Sequence, residues 1–94
     1  MPAKTIYSSE YRRLVQSLRA FRERAGITQS GLSRQLGWPQ QRLSAIEAGA
    51  RRLDVMEFLH LIGALGLSPE EGIRIAAGMT DPTSESPKGR KGAK

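Results

Sequence analysis

Apolar residues recur along the middle of the chain with the spacing of helices. Leu14, Leu18, Phe21 and Ala25 fall at i, i+4, i+7 and i+11, one stripe on a 3.6-residue repeat. Ser8 or Ser9 offers an oxygen to cap the front of that helix, and Gly26 stops it. Thr28 caps a second, shorter helix with Leu32 and Leu36 four residues apart, and Gly37 ends it. A third starts in "WPQQR", with Pro39 in its first turn, where a missing N–H costs nothing. In that helix Leu43 and Ile46 face inward and Gly49 terminates. Asp54 and Glu57 have the spacing of a capping box. They open a fourth helix whose stripe is Val55, Phe58, Leu59, Ile62 and Leu65, stopped by Gly66. Ser68, Pro69 and Glu71 open a fifth, with Ile73, Ile75 and Ala76 for its apolar contacts. No stretch alternates with the period of two that a strand requires.

The pattern therefore predicts an all-α, five-helix domain over residues 8–79, with the second and third helices joined by a tight turn at Gly37. Helix, glycine turn, helix is the helix-turn-helix arrangement. Residues 1–7 form a flexible lead on this reading. The stretch "TDPTSESPKGRKGAK" at 80–94 has no large apolar residue, which predicts a disordered basic tail that adds solubility or nonspecific attraction for DNA.

A chain of 94 residues suits one small domain. Cys is absent, so neither a disulfide nor a thiolate metal site can staple the fold. A modest aliphatic core must rest on helix packing, with dimerisation as a further source of stability. His60 is the lone histidine, so no metal and no cofactor are expected. Met1 to Glu10 has no apolar signal-like segment. The most apolar run, "VMEFLHLIGALGL", is broken by Glu57 and His60 and is too short to span a bilayer. The expectation is a soluble cytoplasmic protein with no membrane partner. No phosphate-binding loop and no set of metal-binding acids in the basic half argue for an enzyme.

Charge changes the picture more through its distribution than through its sum of +6. From Glu10 to Arg52 there are nine Arg against three Glu, while Leu53 to Met79 holds one Arg against Asp54, Glu57, Glu70 and Glu71. One half is basic and the other acidic, as expected of a protein that meets a polyanion with one face.

The ordered set "LRAFRERAGITQSGLSRQLG" and "IEAG" resembles the phage-repressor class of helix-turn-helix proteins, the Xre or Cro/repressor family. The matching positions are Arg22, Gly26, Thr28, Gln29, Leu32, Leu36, Gly37, Ile46, Glu47 and Gly49. The resemblance covers Tyr11 to Leu67 and implies a phage-repressor-like DNA-binding domain that acts as a dimer. It also implies a phosphate contact for Gln29 and a structural ion pair between Arg22 and Glu47.

In such a protein the third helix enters the major groove with its front residues foremost. Gln40, Gln41 and Arg42 stand there and Ser44 follows a turn later. Glutamine reads adenine and arginine reads guanine through paired hydrogen bonds, so these four are the expected base contacts. Ala45 departs from the family, which often carries a long polar side chain at that position. Arg51 and Arg52, in the loop after the third helix, are expected on phosphate, giving grip without sequence information. Trp38 either covers the edge of the core or lies against the sugar-phosphate backbone. Arg12, Arg13 and Arg19 are either helix surface or peripheral phosphate ligands.

Leu67, Ile73, Ile75 and Met79 supply more apolar surface than a helix at the domain's edge needs, and predict a two-fold dimer interface. The function expected is a sequence-specific transcriptional regulator on double-stranded DNA, a repressor or autoregulator acting as a homodimer. The alternative is an antitoxin or an adaptor that uses the same helical domain to hold a protein partner.

Overall fold

The computed structural model describes residues 8–79; the expectations for 1–7 and 80–94 lie outside the described residues. Five helices follow one another: α1 (Ser9–Arg24), α2 (Gln29–Leu36), α3 (Gln40–Glu47), α4 (Val55–Ala64) and α5 (Pro69–Ala76). No strand occurs among the described residues.

Local chemistry sets the boundaries. Ser8, Thr28, Asp54 and Ser68 each accept a backbone N–H from the first turn of the helix they open. Asp54 with Glu57, and Ser68 with Glu71, form complete capping boxes. Such caps satisfy N–H groups that have no carbonyl partner within the helix and contribute about 1 kcal/mol each. Pro39 departs from the expectation: it is the N-cap of α3 rather than its first helical residue, and offers no side-chain cap. The turn between α2 and α3 depends on Gly37, whose φ of 74° lies in the left-handed region. Its N–H reaches the Arg34 carbonyl, and the Trp38 N–H reaches back to Ser33. This fixes the angle at which α3 leaves α2.

The helices wrap a single aliphatic interior. α1 packs on α3 and α5, α2 on α3 and α4, and α4 on α5. Leu18, Leu32, Leu43, Leu61, Ile62 and Ile75 form the main core; Tyr11, Val15 and Ile46 form a second cluster bridged to it by Leu14, Trp38 and Leu53. Each fully buried Leu or Ile contributes roughly 1.5–3 kcal/mol of transfer free energy. α5 approaches α4 closely at Gly72, where an added Cβ would collide with the Ile62 side chain.

Three expectations about faces need correction. The deepest stripe of α1 is Tyr11, Val15, Leu18 and Arg22; Leu14 and Phe21 are half-buried and Ala25 is exposed. In α4 the buried residues are Leu61 and Ile62, and Val55 is exposed. In α5, Ile75 is 0% exposed while Ile73 is 59% and Met79 75% exposed. Ile75 thus belongs to the interior and has no surface to offer a second subunit. Leu67 is half-buried against the same core. Of the four residues expected at a dimer interface, Ile73 and Met79 remain on the surface.

Candidate nucleic-acid interface

The front of α3 projects a polar stripe. Gln40, Gln41 and Ser44 are exposed, Leu43 and Ile46 are buried beneath them, and Ala45 is half-buried beside the stripe. Because Pro39 contributes no side-chain cap, the first N–H groups of α3 have no such acceptor.

Behind this stripe lies a chain of hydrogen bonds. Arg22 on α1 grips Glu47 at the end of α3 with two prongs, Nε to Oε2 at 2.7 Å and Nη2 to Oε1 at 3.0 Å. The third guanidinium nitrogen, Nη1, donates to the Ile27 carbonyl at 2.8 Å. The side chains of Arg22 and Glu47 are 8% and 7% exposed, so each charge depends on the other for what water would otherwise supply. The hydrogen bond to Glu47, partly opposed by burial, raises the Arg22 pKa further above the ordinary arginine value. Gln29 at the start of α2 donates from Nε2 to Glu47 Oε1 at 2.9 Å, and its own Oε1 accepts from Gln40 Nε2 at 3.2 Å. A continuous path therefore runs from α1 through Glu47 and Gln29 to Gln40 at the tip of α3. It fixes both the seat of α3 and the rotamer of its first residue. Gln29, expected on phosphate, is half-buried and its amide is occupied at both ends.

Arg42 points away from the exposed stripe. It is half-buried, with its guanidinium 5.4 Å from the centre of the Trp38 ring and Nη1 3.8 Å from Glu57 Oε2. Trp38 itself packs against both apolar clusters, which answers its two expected roles with core cover plus a platform for Arg42. Arg51 donates from Nη2 to the same Glu57 oxygen at 3.0 Å. Arg52 is exposed and lies 5.7 Å from the centre of the Tyr11 ring. Sequence reasoning thus grouped Arg42 with the glutamines and Arg51 with Arg52; the structure instead brings Arg42 and Arg51 together on Glu57.

Two residues that sequence reasoning left out organise the loop after α3. The Tyr11 hydroxyl donates to the Arg51 carbonyl at 2.6 Å and accepts the Leu53 N–H at 3.0 Å, so α1 holds both sides of Arg52. Glu57 serves the capping box through Oε1 and the two arginines through Oε2. Its spacing from Asp54 signalled the first role; no local signal carries the second. Of the remaining cations, Arg13 reaches the Ile75 carbonyl at 3.4 Å and Arg19 pairs with Glu23 at 3.1 Å.

An apolar cleft of about 290 Å³ lies apart from the α3 stripe, lined mainly by Tyr11, Leu14, Val55, Phe58, Ile73 and Ala76. Among the described residues no group of three or more His, Cys, Asp or Glu could hold a metal ion, and no helix is long and apolar enough to cross a membrane.

Comparison with known proteins agrees with this architecture. A family model described as a helix-turn-helix domain matches residues 13–72. No curated protein matches the chain. Among solved structures, the fold is similar to a hypothetical transcription factor from Neisseria, with a TM-score of 0.59 and 24% identity over 80% of this chain and 95% of that one. The chain belongs to the helix-turn-helix family matched by that model, of the Xre type that its sequence resembles.

Proposed function

We propose that the protein is a sequence-specific transcriptional regulator that reads duplex DNA with α3 and acts as a homodimer, in the role of repressor or autoregulator. The observation that carries the reading is the exposed stripe of Gln40, Gln41 and Ser44 on a helix locked from behind by Glu47, Arg22 and Gln29. A base-reading surface must be rigid, because a side chain that is ordered only on binding gives back part of its hydrogen-bond energy as entropy. Glutamines at the front of a helix suit adenine edges in the major groove. Arg52, exposed beside the end of α3, supplies phosphate grip. Arg42 and Arg51 flank the stripe as cations, with Arg42 too engaged with Trp38 and Glu57 to lead base recognition.

Homodimerisation is supported by the exposed Val55, Met56, Ile73 and Met79, two of which, Val55 and Ile73, line the apolar cleft. Two-fold dimers of this class read half-sites about 34 Å apart, and a second copy seated on this cleft is the dimer proposed. Selection of bound duplexes from a random pool tests the whole reading. A two-fold symmetric motif supports it; recovery of no motif, with only salt-sensitive binding, refutes sequence specificity. A protein that stays monomeric with and without the selected duplex contradicts the dimer, and the apolar cleft then favours the antitoxin or adaptor reading, with a different protein seated on it.

A further inference from the structure

Glu57 stands where three demands meet. Its Oε1 accepts the Asp54 N–H that closes the α4 capping box, and its Oε2 faces Arg51 at 3.0 Å and Arg42 at 3.8 Å. One carboxylate oxygen thus serves two guanidinium groups, one on the recognition helix and one in the loop that follows it. The arrangement is incomplete on the cation side: Arg51 Nη1 is buried and has no hydrogen-bond partner. An arginine fork is best satisfied by two oxygens of a single anion. Glu57 gives Arg51 only one of its oxygens, because the other is committed to the helix cap.

We propose that Glu57 is an electrostatic brake on DNA binding: it withholds Arg51, and with it Arg42, from the phosphate backbone, so that the affinity of α3 for DNA of any sequence is held down. The inference rests on the DNA-binding reading above and adds to it a residue that opposes affinity. Nonspecific binding is almost wholly a matter of phosphates neutralised. A regulator that must leave random DNA to find its site gains from keeping two cations partly neutralised beside its reading head.

Glu57→Gln separates this role from capping, since glutamine at the same position can still accept the Asp54 N–H. The variant gains one positive charge overall, so Glu70→Gln, an exposed position on α5, is the control that adds the same charge elsewhere. Both are titrated with the native protein on selected and scrambled duplexes at several salt concentrations, with thermal melts alongside. The expected result is tighter binding of Glu57→Gln to both duplexes and a plot of log affinity against log salt steeper by about 0.9 for each arginine released per half-site. For one released arginine the gain should be roughly 3.5-fold larger at about 50 mM than at about 200 mM salt. Glu70→Gln should keep the native slope, and Arg51→Gln in the Glu57→Gln background should cancel the Arg51 share of the gain. A slope equal to that of the native protein or of Glu70→Gln, in a variant that melts normally, overturns the proposal.

Arg51→Gln alone gives a reading that does not depend on Glu57→Gln folding. A withheld arginine can be lost with little change in slope, whereas Arg52→Gln should flatten it; equal flattening by both overturns the brake. If the native protein binds neither duplex, the DNA-binding reading falls and the brake falls with it, a result distinct from native binding that Glu57→Gln leaves unchanged.

Discussion

Removing Glu47 probes the lock behind α3 most severely. The carboxylate accepts Arg22 Nε at 2.7 Å, Arg22 Nη2 at 3.0 Å and Gln29 Nε2 at 2.9 Å. Glu47→Ala leaves the buried Arg22 guanidinium hydrogen-bonded only to the Ile27 carbonyl, at 2.8 Å, with the exposed Glu23 carboxylate 4.0 Å away. Stranding one member of a buried ion pair costs about 3–5 kcal/mol. For a domain of this size that corresponds to a fall in melting temperature of roughly 4–8 °C per kcal/mol. A domain with about 5–15 kcal/mol of total stability would lose a large share of it. Arg22→Ala should cost a similar amount, by stranding Glu47. The double variant should cost much less than the sum, with a coupling of about 2–3 kcal/mol, because the second truncation removes a charge that the first left unpaired. Urea denaturation of the four proteins, followed by far-ultraviolet circular dichroism, completes the cycle. Because the Arg22 pKa is raised, its contribution is fully present at neutral pH and is lost only as pH climbs far into the alkaline range, so the cycle should read the same at pH 6 and pH 8. Additivity within about 0.5 kcal/mol would refute the argument that each charge depends on the other.

Other outcomes follow from the same geometry. Tyr11→Phe strands the Arg51 carbonyl and the Leu53 N–H; it should cost about 1–3 kcal/mol in a thermal melt and raise hydrogen exchange in the loop after α3. Gly72→Ala forces a methyl onto Ile62 and should cost about 1–3 kcal/mol by overpacking, read from the same melt. Ile75→Ala should destabilise the monomer by about 2–5 kcal/mol, whereas Ile73→Asp, at an exposed position, should shift sedimentation equilibrium toward monomer and remove the rise of melting temperature with protein concentration that a dimer shows.

What was legible in the sequence was what local chemistry decides. Thr28, Asp54 and Ser68 announce their helices because an N-cap acts only on the next three residues, and Gly37 announces the turn because its φ of 74° excludes most side chains. The faces were less legible. The deep stripe of α1 ends in Arg22 and begins with Tyr11, two residues that hydropathy assigns to the surface and that are buried because distant groups meet their polar atoms. Ile73 and Ile75 are chemically alike but two residues apart on a helix, so they face opposite ways, and their opposite fates follow from which face α5 turns to α1 and α4. Glu57 had a sufficient local explanation in its capping box, which hid its contacts with Arg51 and Arg42. Those contacts arise only when the loop after α3 folds back beside α4, an event without a signature at short spacing. The direction of Arg42 was missed for the same reason, since Trp38 became its platform only through packing.

The claim that α3 reads sequence is tested most directly by titrating native protein and Gln41→Ala on the selected duplex and on a scrambled one of equal length. Gln41 is exposed on the reading stripe and takes no part in the network behind it, so its truncation should leave the fold intact. A good two-pronged base contact is worth about 1–3 kcal/mol, or roughly 5- to 140-fold in affinity. The account predicts a loss of that size on the selected duplex and almost none on the scrambled one. An equal loss on both, or none on either, would contradict it.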